Sequence, residues 1–86
     1  MECKVLLRKK IKVYGTHFYV ELRKYRQDYY QLVDIYENCE HDRGCPYNTL
    51  ADAIRGFETA TGFQLTDELK EYLANNNGNK RIQSSR

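Results

Sequence analysis

The sequence lacks any apolar run near the ~20 residues that a membrane-spanning helix needs, and its first residues contain no signal-peptide core. Without a secretion signal, its three cysteines are expected to stay reduced, and their odd number does not suggest a disulfide framework. We therefore expect a cytoplasmic protein that makes no contact with a membrane.

The chain also lacks the length for complex chemistry. Its 86 residues suit one domain and exclude a two-domain enzyme. A domain of this size buries about 60–65% of its unfolded surface, so the core is thin and too small to build a substrate cleft. We expect a protein that is not an enzyme, holds no cofactor and acts on no small-molecule substrate.

What the chain does have is charge, and the charge is segregated. The net charge is only +2, but residues 1–27 carry eight cations and two acids, a local net charge of +6. Residues 28–75 carry ten acids and three cations, a net charge of −7, and residues 76–86 add three cations. Such a chain has a dipolar field, and its basic end suits an anionic partner.

The N-terminal half predicts three β-strands, over residues 3–13, 16–25 and 29–36. Apolar and polar residues alternate along the first two, and the second is also rich in aromatic and β-branched residues. The third is a strand candidate that follows a short polar break at residues 26–28. The short breaks between them favour antiparallel neighbours. The pattern leaves open which face of the third strand is buried. Residues 37–47 predict a loop, which contains the only proline, Pro46.

The C-terminal half predicts two helices. Apolar residues recur at helical spacing over residues 49–61, with Thr49 as the N-cap and Gly62 at the position that often ends a helix. A shorter helix is expected to begin at Thr66 and to end at the asparagine-rich segment 75–79.

These elements predict an α+β fold, a three-stranded antiparallel meander followed by two C-terminal helices packed on one sheet face. The compact domain should span residues 1–77, and residues 78–86 should form a flexible basic tail. The first helix is expected to cover Val5, Val13, Phe18, Val20 and Leu22. Either edge strand could pair with another copy, so a monomer and a homodimer both remain open.

The opposite sheet face is expected to interleave cations with tyrosine rings. Its candidate binding residues are Lys10, Lys12, Tyr19, Arg23 and Tyr25, supported by Lys4 and Arg8. Cations neutralise phosphates and aromatic rings stack on bases, so the leading hypothesis is a non-enzymatic module that binds the backbone of DNA or RNA.

Tyrosine is equally a residue of protein interfaces, so a protein partner is the alternative. The chain resembles, in size and style, short phage or mobile-element proteins, and such proteins often inhibit host nucleases, as anti-CRISPR and anti-restriction proteins do. That resemblance implies an inhibitor that binds a host protein through its tyrosines or through the acidic residues Glu37, Glu40 and Asp42, which could occupy a site meant for phosphates.

Two further resemblances concern nucleic acids. In the order of its elements, residues 3–61 resemble the three-strand-plus-helix DNA-binding domains of tyrosine integrases, and no functional residue carries over. Gly15-Thr16-His17 is similar to the Gly-Ser-His hairpin of HicA-type toxin ribonucleases. That resemblance implies acid–base chemistry on RNA for His17 alone, although no helix precedes the predicted sheet here as one does in that family.

Cys39, His41 and Cys45 lie within seven residues and carry the ligand types that zinc prefers. Their spacing is not a common zinc signature, and a fourth ligand would have to come from Cys3 or His17. We therefore expect no bound metal and keep these three residues as a weak zinc candidate.

Overall fold

The computed structural model describes residues 3–76, which form one antiparallel sheet and two helices. In chain order and in sheet order, the strands are β1 (Lys4–Val13), β2 (Thr16–Arg26), β3 (Tyr29–Tyr36) and β4 (Cys39–Asp42). The helices are α1 (Leu50–Thr61) and α2 (Asp67–Asn76). The α+β class is confirmed, but the meander has four strands rather than three.

The fourth strand arises where the sequence predicted a loop. Glu37 and Asn38 have positive φ angles of 48° and 67°, the backbone of a tight two-residue hairpin turn. The chain then pairs back on β3, from Tyr36 opposite Cys39 to Val33 opposite Asp42. The turn lacks the glycine that usually marks such a hairpin, and β4 is short and polar, so neither signal was visible in the sequence.

Both helices begin at the predicted caps. The Thr49 hydroxyl accepts a hydrogen bond from the Asp52 N–H at 3.1 Å, and the Thr66 hydroxyl accepts one from the Leu69 N–H at 3.1 Å. At the end of α1, Gly62 has a φ of 74°, and its N–H donates to the Glu58 carbonyl at 2.8 Å. These contacts satisfy backbone groups that a helix end would otherwise leave unpaired.

The core lies between the helices and the two central strands, because α1 packs on β2 and β3. It consists of Val20, Leu22, Tyr30, Leu32, Ala53, Ile54, Phe57, Leu65 and Leu73. Val20 and Leu22 are fully buried, as expected, and Phe18 packs partly buried beside them. The presence of Tyr30 and Leu32 in this cluster shows which face of β3 points to the helices.

Two residues expected under the helix are not there. Val5 and Val13 are 47% and 42% exposed. A β-bulge inserts Leu6 into β1, so that Val5 lies opposite Arg23 whereas Leu7 lies opposite Leu22. The alternation is therefore inverted before the bulge, and Val13 lies at the far end of the β1–β2 hairpin. The expected tail, residues 78–86, lies outside the described residues, and the limits proposed for the domain stay a prediction.

Candidate nucleic-acid interface

The sheet surface turned away from α1 and α2, here called the open face, is defined by the strand register. Residues directly opposite each other on paired antiparallel strands share a face. The open face carries Arg8, Lys10, Lys12, His17, Tyr19, Glu21, Arg23, Gln31, Val33, Ile35, Glu40 and Asp42. The register thus brings together four of the five leading candidates, Lys10, Lys12, Tyr19 and Arg23, and adds Arg8.

The residues at the centre of the open face are buried, although neither α1 nor α2 covers them. Val33 is 1% exposed, Gln31 3%, Glu21 5% and Arg23 9%. At this centre the Glu21 carboxylate contacts both the Arg8 and the Arg23 guanidinium groups. The expected surface of freely exposed cations and rings therefore does not extend to the middle of the sheet.

Arg23 holds this centre together. Its guanidinium group contacts both Glu40 carboxylate oxygens, at 3.1 and 3.0 Å, and the Glu21 carboxylate at 2.8 Å. The hydrogen bonds that Arg23 donates to Glu40 raise the pKa of Arg23, burial opposes that shift, and the hydrogen bonds that Arg23 donates to Tyr25 and Glu21 add to it. In turn, the Arg23 hydrogen bond and charge hold the pKa of the Glu40 carboxyl below its usual value. The cation expected to bind phosphate already binds two carboxylates.

Arg8 and Tyr19 are also engaged with neighbours. The Arg8 guanidinium carbon lies 4.1 Å from the centroid of the Tyr19 ring, and its Nε lies 3.5 Å from the Glu21 carboxylate. A ring covered by a guanidinium group on one side has that side unavailable for stacking on a base.

The situation changes at the hairpin end, defined as residues 10–19. Tyr19 is the last residue of β2 that pairs with β3, through Ile35, so beyond it the hairpin is a two-stranded ribbon. Lys10 and Lys12 are exposed there, and within residues 3–76 neither forms an ion pair or a hydrogen bond. His17 lies opposite Lys12, and Tyr14 at the turn is fully exposed.

The remaining candidates of the basic set lie elsewhere. The bulge places Lys4 opposite Lys24, on the side of the sheet away from Arg8, which corrects its expected position. Tyr25 lies at a second irregularity, between Lys24 and Arg26. Its hydroxyl is 3.5 Å from an Arg23 nitrogen.

The acidic candidates belong to a hairpin and not to a loop. Glu37 forms the turn before β4, while Glu40 and Asp42 lie on β4 and on the open face. Glu40 is committed to Arg23, whereas Asp42 forms no ion pair within the described chain. The three acids therefore do not present one continuous anionic surface.

Cys39 and His41 alternate onto the same face of β4, opposite Tyr36 and Asp34 respectively. Cys3, Cys39 and Cys45 are free and exposed. Among residues 3–76, no three histidine, cysteine or acidic side chains lie close enough to hold a metal ion.

Sequence reasoning missed the partners that decide these roles. Nothing in the sequence predicted that Glu40 would reach Arg23, because that contact depends on β4. It also did not single out Gln31, which lines a cavity with Tyr25 and Tyr29. The tyrosine content was the one available signal for that cavity.

No family model, no curated protein and no solved structure matches this chain. Neither helix within residues 3–76 combines the length and apolar character needed to cross a membrane.

Proposed function

We propose that the protein is a non-enzymatic module that binds the phosphate backbone of a nucleic acid through its hairpin end. The observation that carries this proposal is the pair of exposed lysines, Lys10 and Lys12, which share the open face and have no partner of their own within the described residues. An uncompensated cation binds phosphate and releases a counterion, which favours association.

The shape of the hairpin end supports the same function. A two-stranded ribbon is narrow enough to enter the major groove of a duplex. Lys10 and Lys12 are separated by about 6.6 Å along the strand, near twice the axial spacing of phosphates on one strand. Lys9, on the other side of β1, adds a third charge, with its ammonium group 5.0 Å from the Phe63 ring centroid.

Arg23 takes a different part in this proposal from the one expected. Its two carboxylate partners neutralise its charge, so we assign Arg23 a structural role, that of connecting β2 with β4 on the open face. In this proposal the phosphate contacts are made by Lys10 and Lys12, here called the hairpin lysines. Arg8 lies beside them on β1, between the hairpin end and the centre of the open face.

The test is a fluorescence-anisotropy titration of labelled duplex and single-stranded DNA and RNA at low and moderate salt. Three phosphate contacts predict that affinity falls about 20- to 40-fold when salt rises fourfold. Replacing Lys10 and Lys12 together by glutamine should weaken binding to every sequence and reduce the salt dependence. The matched control, Arg55→Gln with Lys70→Gln on the helices, removes the same charge and should bind as the unaltered protein does.

Absence of binding to any nucleic acid at low salt would refute the proposal. Binding that is lost equally in the control pair would reduce it to a net-charge effect and also refute it. A salt-insensitive complex with a host protein would instead favour the alternative, an inhibitor of phage type. We place the activity in the cytoplasm, because three exposed free thiols suit a reducing compartment.

A further inference from the structure

A second feature of the open face is a cavity at the end of the sheet far from the hairpin lysines. It has a volume of about 350 Å³ and is lined by Tyr25, Arg26, Tyr29, Gln31 and Asp42. This tyrosine pocket lies beside the β2–β3 turn. Its volume is within the range of about 300–1,000 Å³ that small-molecule sites occupy.

Two aromatic rings and one cation form the walls of the tyrosine pocket. The Tyr25 and Tyr29 ring centroids are 6.0 Å apart with an interplanar angle of 86°. The Arg26 guanidinium carbon lies 4.7 Å from the Tyr29 centroid, so Arg26 covers one side of that ring. Arg26 forms no ion pair within the part of the chain described here, so its charge remains uncompensated.

Two polar groups of the tyrosine pocket, the Gln31 side-chain oxygen and the Asp42 carboxylate, are acceptors that lack a donor among residues 3–76. The Gln31 side-chain amide donates to the carbonyls of Leu32 and Gly44, both at 3.1 Å, which fixes its orientation. No group of residues 3–76 donates a hydrogen bond to the Gln31 Oε1 atom, although Gln31 is only 3% exposed. The Asp42 carboxylate likewise has no partner among these residues. A buried acceptor without a donor is costly, so its presence points to a ligand.

We propose that the tyrosine pocket takes an unpaired nucleobase that bears an amino group, as adenine, cytosine and guanine do. The base stacks on the Tyr25 ring, its amino group donates to Asp42 and to Gln31 Oε1, and Arg26 contacts the adjacent phosphate. Carboxylates accept from the exocyclic amino group of cytosine in known recognition modes, and each stacked base adds to affinity.

This assignment rests on the proposed function and names its substrate more closely. Tyr25 is six residues along β2 from Tyr19, the partner of Lys10, so the tyrosine pocket and the hairpin lysines are about 20 Å apart. One single strand of several nucleotides can contact both. A lone cationic side chain of a protein would meet the acceptors equally well, but it would also meet the like charge of Arg26.

The experiment compares short labelled single strands of oligo-dC, oligo-dA and oligo-dT, together with their ribonucleotide counterparts, by anisotropy at moderate salt. Thymine and uracil lack the amino group. We expect the cytosine and adenine strands to bind about tenfold more tightly than the thymine strand. The ribonucleotide arm decides whether the sugar contributes.

Three variants assign any preference to the tyrosine pocket. Asp42→Ala and Tyr25→Leu should remove the preference and leave the salt dependence unchanged, whereas Tyr25→Phe, which keeps the ring, should retain it. Tyr36→Leu is the matched control, since Tyr36 is 40% exposed and lies outside the pocket. It should behave as the unaltered protein does.

Each outcome discriminates between the two proposals. Equal, salt-dependent binding of all strands overturns the nucleobase pocket and leaves backbone binding intact. A preference that survives both Asp42→Ala and Tyr25→Leu overturns the pocket as well. Loss of all binding overturns backbone binding and the pocket with it. If the Gln31 side-chain amide resonance responds to a lysine-rich peptide and not to oligo-dC, the pocket serves a protein partner and the nucleobase assignment is wrong.

Discussion

The centre of the open face and the hairpin end carry the same kind of charge in very different states. At the centre, Arg23 is 9% exposed and contacts two carboxylates. At the hairpin end, Lys10 and Lys12 are exposed, and within residues 3–76 no carboxylate neutralises them. The difference follows from the neighbouring strands. The centre has β3 and β4 beside it, and β4 supplies Glu40, whereas the hairpin end has only its own two strands.

Arginine suits the paired centre of the open face, and lysine suits the unpaired hairpin end. An arginine fork binds a carboxylate through two parallel hydrogen bonds, as Arg23 does with Glu40. Lysine is a compact and strongly hydrated charge on a flexible chain, which suits contact with an exposed phosphate. Arg23 therefore serves the protein's own structure, and in the function proposed above Lys10 and Lys12 contact the partner.

Removing Arg23 is the most severe way to test this comparison. We expect Arg23→Ala to lower the free energy of unfolding by about 3 kcal/mol, because the buried Glu21 carboxylate loses its closest cation. Urea denaturation followed by circular dichroism measures this loss. Arg55→Ala is the matched control, since the exposed Arg55–Asp52 pair should contribute at most about 1 kcal/mol. Equal losses in the two variants would contradict the structural role of Arg23.

Acid should weaken the centre through Glu40. Its pKa is lowered by Arg23, so the contact contributes stability above the ordinary value of 4.5 and loses it as pH falls through the lower folded value. Glu40→Gln should therefore be less stable than the unaltered protein at neutral pH, and the gap should narrow below pH 4.5. Urea denaturation at several pH values measures the gap. A gap that stays constant down to acid pH would show that the charge of Glu40 is not the cause.

The smallest effect is expected at the hairpin end. Lys10→Gln with Lys12→Gln should change the free energy of unfolding by less than about 0.5 kcal/mol, because exposed residues without partners contribute little to stability. The same variant is the one expected to lose nucleic-acid affinity. If it unfolds more easily by more than about 1 kcal/mol, the lysines have a structural role and the contrast with Arg23 disappears.

The local features of the fold were predictable because short-range physics controls them. The caps at Thr49 and Thr66 and the helix end at Gly62 each depend on a few consecutive residues. The alternation that buries Val20 and Leu22 was equally visible. The bulge at Leu6 was not, although Leu6 interrupted the alternation, because an interruption does not reveal which residue is extra.

The candidate site was predictable only as a composition. The sequence indicated a face with cations and tyrosines, and the register places Lys10, Lys12, Tyr19 and Arg23 on one face. Which of them is available depends on contacts between residues distant in the chain, such as Arg23 with Glu40, seventeen positions apart. The contact with Glu40 requires β4, and the sequence did not predict β4 because the turn before it contains no glycine.

By itself, the sequence determined an α+β chain with a basic, tyrosine-bearing sheet surface, because periodicity and capping act over a few residues. Only the tertiary structure decided that Arg23 is neutralised, that Lys10 and Lys12 are free of carboxylate partners within residues 3–76, and that Tyr25, Tyr29 and Gln31 share one cavity. The physical reason is that the availability of a charge or a ring depends on what packs beside it. Strand pairing sets those neighbours across distances in the chain that no local pattern spans.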